Sequence, residues 1–305
     1  LHSVPEFDEL LAKLRRHTLI TGKSESTLNN YARSLASMAL HFQCSPIELD
    51  QEQVLDYLEF LKTQSNKPSL SHLKHIVYGL RMAYKVTNTP PRQVSLPSLR
   101  IPQKLPVVLS QQEVRQLLNA PPLLKHRLVL AMLYGCGLRQ FELRNIKIQD
   151  VDLQRGMLHV RQGKGNKDRY VPLNKDLTRE LSHYIEGEKP YRWLFNGKNN
   201  YGQLQQLSGT GIQWIINQAV KQTPIKKKVT SHSLRHTYAT HLLEMGLDII
   251  ALKEALGHSN MRTTLTYLHI ARQGRQRIFS PLDKLYEGDE QRHAASDSSY
   301  GCDDV

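Results

Sequence analysis

Apolar residues recur at helical spacing from Phe7 to Tyr84. Phe7, Leu10, Leu11 and Leu14 form a first stripe, and Leu28, Tyr31, Leu35, Met38 and Phe42 a second. Val54, Leu55, Leu58 and Leu61 form a third, and Leu73, Ile76, Val77, Leu80 and Tyr84 a fourth. Steps of three and four put each set on one helical face, so the pattern predicts four short helices packed as a small all-α domain. Asp50 with Gln53 reads as a capping box that opens the third helix. The opposite faces carry Lys13, Arg15, Arg16, Lys74, His75, Arg81 and Lys85, which suits either a solvated surface or contacts to phosphate.

The periodicity stops at "NTPPRQVSLPSLRIPQKLP", residues 88–106. Five prolines there forbid regular helix and favour extended backbone, so residues 89–106 are expected to link two domains. Beyond the linker, Ser110 and Glu113 give another capping box, and two helices run on into "LYGCGLRQFELRNI". The stretch "GMLHVRQGKGNKDRYVPL", residues 156–173, reads as two strands joined by the Gly- and Asn-containing turn "GKGNK". Helical pattern then returns in "KDLTRELSHYI", "TGIQWIINQAV", "SHSLRHTYATHLLEMG", "DIIALKEALG" and "SNMRTTLTYLHI". The fold class expected is mainly α with a small antiparallel sheet.

Charge then narrows the partners. Lys and Arg number 41 against 28 Asp and Glu, a formal charge of +13 and a pI near 9.6, which favours a polyanion. Because Glu287, Asp289, Glu290, Asp297, Asp303 and Asp304 crowd the end of the chain, the body is more basic than this balance suggests. The acidic tail is expected to be disordered. Cys44, Cys136 and Cys302 make neither a CxxC pair nor a metal-ligand spacing, so reduced thiols in a cytoplasm are the economical expectation. No apolar run approaches the ~18 residues a membrane span needs, and no signal-peptide core opens the chain. "GKGNK" lacks the P-loop pattern, no GxGxxG follows a strand, and no GxSxG elbow supports a serine hydrolase. His232 and His236 lie four apart, but without HExxH or a nearby Cys they make a weak metal site.

What remains is a set of cations. His232 and Arg235 in "HSLRH" share one helical face near an N-terminus that Thr230 or Ser231 can cap, a position attractive to phosphate. Arg139 follows two glycines in "GCGLRQFEL", with Glu142 three residues on to hold a guanidinium or an imidazole. Two arginines can grip nonbridging phosphate oxygens and stay charged when buried, so together they resemble an anion clamp.

"GLRQFEL", "GKGNKDR", "HSLRHTYATHLL" and "LGHSNMRTTLTY" follow one another in an order, and with spacings, that resemble the tyrosine site-specific recombinases. That phage integrase family includes the Xer, integron and lambda-type integrases. The resemblance implies an all-α, SAM-like core-binding domain over residues 1–88, a mixed α/β catalytic domain over residues 107–277, and a carboxy-terminal segment with tail over residues 278–305. It implies Tyr267 as the nucleophile, leaving a 3′-phosphotyrosyl enzyme and a free 5′-hydroxyl. Arg139 and Arg235 would clamp the nonbridging oxygens with His258 as a third donor, and Lys164 would protonate the departing 5′ oxygen. His232 would assist proton transfer from the tyrosine, and Glu142 would support the cluster from behind. A phenol of pKa ~10 needs a base and a cationic surround to attack at neutral pH, and arginines can stabilise the phosphorane without a metal. No cofactor and no metal are therefore expected.

Expected partners are double-stranded DNA carrying a specific site and further copies of the chain, as a tetramer on paired sites. Whether an accessory recombinase or DNA-bending protein takes part stays open, and no membrane is involved. The spacing from Lys164 to His232 favours a compact Xer-like or mobile-element integrase, although "FSPLDKLY", residues 279–286, is similar to an ending of integron integrases. A type IB topoisomerase-like activity and a catalytically idle DNA-binding architectural protein are the alternatives. Taken singly, Tyr267 would read as a core aromatic and Lys164 as a solvated turn residue. His236 and His241 are expected to be structural helix residues.

Overall fold

The computed structural model describes residue 4 and residues 6–64, 68–88, 106–161, 168–199, 201–258 and 260–268. The chain divides into two compact units, Leu1–Lys104 and Leu105–Val305. The expected linker and carboxy-terminal segment fall almost wholly outside the described residues.

The first unit holds four helices, α1 (Phe7–Ile20), α2 (Glu25–Phe42), α3 (Gln51–Thr63) and α4 (Leu70–Thr87). Each of the last three starts on a side-chain cap. Ser24 accepts from the Thr27 amide and Ser69 from the His72 amide. Asp50 and Gln53 exchange hydrogen bonds of 2.8 and 2.9 Å, the capping box read from the sequence. Leu14, Leu35, Met38, Val54, Ile76 and Leu80 lose all contact with solvent. Of the predicted stripes only Leu55 is exposed. Lys13, Arg15, Arg16, Arg81 and Lys85 face outward, while Lys74 and His75 are half-buried.

The second unit contains α5 (Gln111–Asn119), α6 (Leu124–Gly135), α7 (Gln140–Asn145), β1 (Val151–Asp152), β2 (Met157–Val160), β3 (Arg169–Pro172) and α8 (Lys175–Glu188). It continues with β4 (Asn196–Lys198), β5 (Leu204–Gln206), α9 (Gly209–Lys221), α10 (Ser231–Glu244), α11 (Ile249–Leu256) and α12 (Met261–Leu268). Strands β1, β2 and β3 form an antiparallel sheet with Leu158 opposite Val171. Mainly α architecture with small antiparallel sheets is therefore what the chain adopts. The β4–β5 hairpin is an element the hydrophobic pattern missed. Its strands have three residues each and almost no apolar alternation, and its turn rests on Asn199, whose Oδ1 accepts from the amides of Tyr201 and Gln203.

Two helices are buried nearly all round. In α6, Leu128, Val129, Leu130, Met132 and Leu133 are inaccessible. In α10 the buried set includes Ser233, Arg235, Thr237, Thr240 and His241. A buried polar group needs a partner, and most of these find one through backbone far away in sequence. Thr237 Oγ1 accepts from the Leu109 amide at 3.0 Å, and His241 Nε2 donates to the Leu109 carbonyl at 3.0 Å. That carbonyl can only accept, so the His241 proton sits on Nε2 and Nδ1 takes the Tyr134 hydroxyl at 2.9 Å. Both backbone groups of Leu109 are thereby fastened to α10, the helix that bears "HSLRH". Cys44 and Cys136 are free thiols, and burial pushes the Cys136 thiol up to about 12. Cys302 lies outside the described residues. Among the described residues no helix is long and apolar enough to cross a membrane.

Candidate active site

The site starts from a turn. Gly137 takes φ +57°, and a Cβ there would stand 2.4 Å from Cδ1 of Tyr238. Glycine alone tolerates both conditions, and the resulting turn aims the Gly137 carbonyl at Arg235 Nη1, 2.5 Å away. Gly137→Ala is expected to lower the stability of this unit by about 3 kcal/mol, from the left-handed backbone and overpacking together. Gly135→Ala is the control, since Gly135 has open space around its Cα. Urea unfolding followed by tryptophan fluorescence compares the two, because Trp193 and Trp214 both lie in the second unit. Equal midpoints would contradict this account of the turn.

Just after that turn, Glu142 on α7 is buried among three guanidinium groups. Its carboxylate accepts from the Arg139 amide at 2.9 Å and from Arg139 Nη1 at 2.6 Å. Arg169 on β3 grips it with a two-pronged fork, at 3.0 and 2.8 Å. Arg235 Nη1 stands 3.6 Å away. Burial alone would raise the Glu142 carboxyl, but the Arg169 hydrogen bonds and charge, the Arg139 amide and the Arg235 charge outweigh it and hold it at about 2. Burial and the neighbouring Arg139 lower the Arg235 guanidinium to about 10, still charged at neutral pH. Three cations against one anion leave the cluster net positive.

Two of these arginines also fix the end of α11. Arg169 Nε donates to the Ala255 carbonyl at 3.0 Å and Arg235 Nη2 to the Leu256 carbonyl at 2.5 Å. These are last-turn carbonyls that the helix itself leaves without partners. Gly257 then turns the chain at φ +60°, delivering His258. The His258 ring stacks within 13° of parallel to the Tyr267 ring at 6.3 Å, and its Nδ1 lies 2.9 Å from Thr264 Oγ1 on α12.

Tyr267 itself is 3% exposed and packs on Ala239, Leu252 and Leu256. Its hydroxyl lies 3.1 Å from His236 Nδ1. Burial raises the phenol above its ordinary value, while the charges of Arg235 and Arg139 pull the other way. His232 and His236 are both lowered, first by burial and then by neighbouring positive groups, so both imidazoles are neutral at pH 7. A cleft of about 580 Å³ opens onto Arg139, His232, Arg235, His236, His258 and Tyr267. Such a cleft can seat an oxyanion between two guanidiniums, beside a phenol and a neutral base.

Of the residues singled out from the sequence, Arg139, His232, Arg235, His258 and Tyr267 line this one cleft, and Glu142 lies directly behind it. Lys164 falls outside the described residues, in the stretch between β2 and β3. Two residues in contact with this cluster were given no part in it by sequence reasoning. Arg169 is the last residue of the motif "GKGNKDR", which is the signal that marks it. His236 closes "HSLRH", but helical spacing gave no means of preferring it to a structural reading.

Residues 107–273 match the phage integrase family, and residues 10–89 match its N-terminal SAM-like domain. The chain is 32% identical over 266 residues to tyrosine recombinase XerA of Pyrococcus horikoshii, covering 86% of this chain and 89% of that one. It is 32% identical over 279 residues to tyrosine recombinase XerD of Listeria innocua, covering 84% and 92%. Its fold is shared, at a TM-score of 0.68 and 18% identity over 90% of this chain and 80% of the other, with a lambda integrase tetramer bound to a Holliday junction. A buried phenol facing arginines, in a chain that matches these relatives along most of its length, makes this protein a member of the phage integrase family: a Xer-like tyrosine recombinase, an enzyme that cuts and rejoins DNA.

Proposed function

We propose that the chain recombines specific sites in double-stranded DNA by attack of Tyr267 on a phosphodiester held between Arg139 and Arg235. The observation that carries this reading is the shared cleft, in which the phenol faces both guanidiniums. In this reading the arginines and His258 bind the nonbridging oxygens and stabilise the charge of the pentavalent state. The tyrosine ends on the 3′ phosphate, and the 5′ oxygen departs with a proton from Lys164. Glu142 orders all three arginines. His232 lines the same cleft and, by the resemblance, serves the tyrosine's proton transfer, although the ring nitrogen beside the phenol belongs to His236 one turn on. The phosphotyrosyl bond conserves the energy of the broken ester, so a 5′-hydroxyl from another strand can reseal it without ATP.

Exchange between two duplexes needs at least two such centres, and the tetramer of lambda integrase on a Holliday junction supports a tetramer here. The test begins with duplexes that the wild-type protein selects from a randomised pool. A selected duplex nicked near the cleavage point releases a short fragment and traps the covalent adduct. Arg139→Ala is expected to bind that duplex and to form adduct about 10²–10³-fold more slowly, the usual loss on removing one donor to a transition-state oxyanion. An Arg139→Ala rate equal to wild type would reject the clamp.

A further inference from the structure

We propose that Thr237 and His241 are positioning residues for strand cleavage: by gripping both backbone groups of Leu109 they fix the rotation of α10 about its own axis, and with it the placement of His232, Arg235 and His236 at the phosphodiester. This rests on the reading of the cleft as a phosphoryl-transfer centre, and adds to it two residues that do not line the cleft.

Leu109 lies in neither helix nor strand, so its amide and carbonyl have no partner in a backbone ladder. Its side chain is buried in the large core of the second unit. Both missing partners come from about one turn of α10. The Thr237 hydroxyl gives its own proton to the Ser233 carbonyl at 2.8 Å, which leaves a lone pair of Oγ1 for the Leu109 amide at 3.0 Å. His241 Nε2 donates to the Leu109 carbonyl at 3.0 Å while the Tyr134 hydroxyl meets Nδ1 at 2.9 Å, so a single tautomer serves both bonds. On either side of Leu109, Lys227 Nζ donates to the Val108 carbonyl at 3.0 Å and Glu113 accepts from the Ser110 amide at 2.7 Å. The anchor is therefore held in place itself.

The grip lies opposite the chemistry. At about 100° per residue, His232, Arg235 and His236 centre on one side of α10, and Thr237 and His241 centre about 170° away. Apolar packing does little to choose between rotations, because Leu234 joins the large core while Ala239 joins the cluster around Tyr267. Directional hydrogen bonds to a fixed backbone make the choice instead. From the cleft side Arg235 is aimed at the Gly137 and Leu256 carbonyls, so a roll of the helix would draw it away from both. The ends of long side chains move further than the backbone, and a misplacement of about 1 Å can cost about 10²-fold in rate.

Four variants separate this role from a merely structural one. Thr237→Val keeps the shape and removes the hydroxyl, which Thr237→Ser restores. His241→Asn keeps a polar atom for Tyr134 but cannot reach Leu109, whereas the longer side chain of His241→Gln places an amide donor where Nε2 stood. The nicked duplex that wild type selects is supplied in saturating excess, and each molecule of protein reacts once. Loss of folded protein lowers the amplitude of adduct formation; a rotated α10 lowers its rate constant. In Thr237→Val and His241→Asn the rate constant should fall about 10–100-fold, with duplex affinity near wild type. Thr237→Ser and His241→Gln should recover most of the rate. Rate constants equal to wild type in Thr237→Val and His241→Asn, or equal losses in all four variants, overturn the proposal. A second measurement needs neither a variant nor DNA. In hydrogen exchange of the wild-type protein, the Leu109 amide should open together with the amides of Thr237 to His241, with the same dependence on urea. A Leu109 amide that exchanges at the free-peptide rate, or well before those of α10, overturns the proposal even where a variant fails to fold. Failure of wild type to form adduct on any selected duplex would instead bring down the reading of the cleft and, with it, this role, and the exchange result would then report the grip alone.

Discussion

Tyr267→Phe is expected to abolish covalent capture of DNA, a loss of about 10⁴-fold or more, as when an enzyme loses its nucleophile. The variant removes one oxygen from a ring otherwise held by Ala239, Leu252, Leu256 and the His258 stack, so the fold around it should persist. Its one structural consequence is a half-buried His236 left without the hydroxyl, which should cost about 1 kcal/mol. Binding to the selected duplex is expected to match wild type, because in this account the guanidiniums hold the phosphate. Gel analysis of nicked duplex after protein denaturation reads the adduct, and a mobility shift reads the binding. Persistent adduct in Tyr267→Phe would mean that another residue attacks.

The second large effect is on stability. Glu142→Gln is expected to destabilise the second unit by about 3–5 kcal/mol at pH 7, since it leaves three clustered guanidiniums without their counter-charge. The sign with pH follows from the depressed carboxyl. Held at about 2 in the fold against an ordinary 4.5, Glu142 contributes its full stabilisation above pH 4.5 and loses it as pH falls through 2. That loss amounts to about 3 kcal/mol. The gap between wild type and Glu142→Gln should therefore close between pH 4.5 and 2, and stay constant from pH 5 to 8. Urea unfolding at a series of pH values, read by Trp193 and Trp214, measures it. Equal stability at pH 7 would show that the arginines do not depend on Glu142.

The residues whose placement could be read from the sequence are those whose partners are near in sequence. The four helices of the first unit announce themselves by stripes such as Leu73, Ile76, Val77 and Leu80, and by the Asp50–Gln53 cap, all within one or two turns. Helix α10 is different. Buried nearly all round, it has no polar face to mark its orientation, and its polar residues serve partners as remote as Leu109 and Gly137. The four motifs were enough to gather Arg139, His232, Arg235, His258 and Tyr267, yet periodicity cannot separate His232 from His236, four apart on one face. Only the position of the Tyr267 hydroxyl distinguishes them. Glu142 draws partners from far along the chain, because Arg169 and Arg235 come from β3 and α10. The fork from Arg169 to Glu142 and the hold of Arg169 on α11 likewise join segments far apart in sequence, so neither could be read from local pattern.

Attack by Tyr267 fixes which atom of the protein is joined to which end of the cut strand. Wild-type protein trapped on its selected, nicked duplex can be digested with nuclease and trypsin and its adduct sequenced by mass spectrometry. The predicted product is the peptide Thr263–Arg272 with a nucleotide on Tyr267, linked through the 3′ phosphate and matched by a free 5′-hydroxyl on the released strand. A nucleotide on any other residue, or a linkage through a 5′ phosphate, would contradict it.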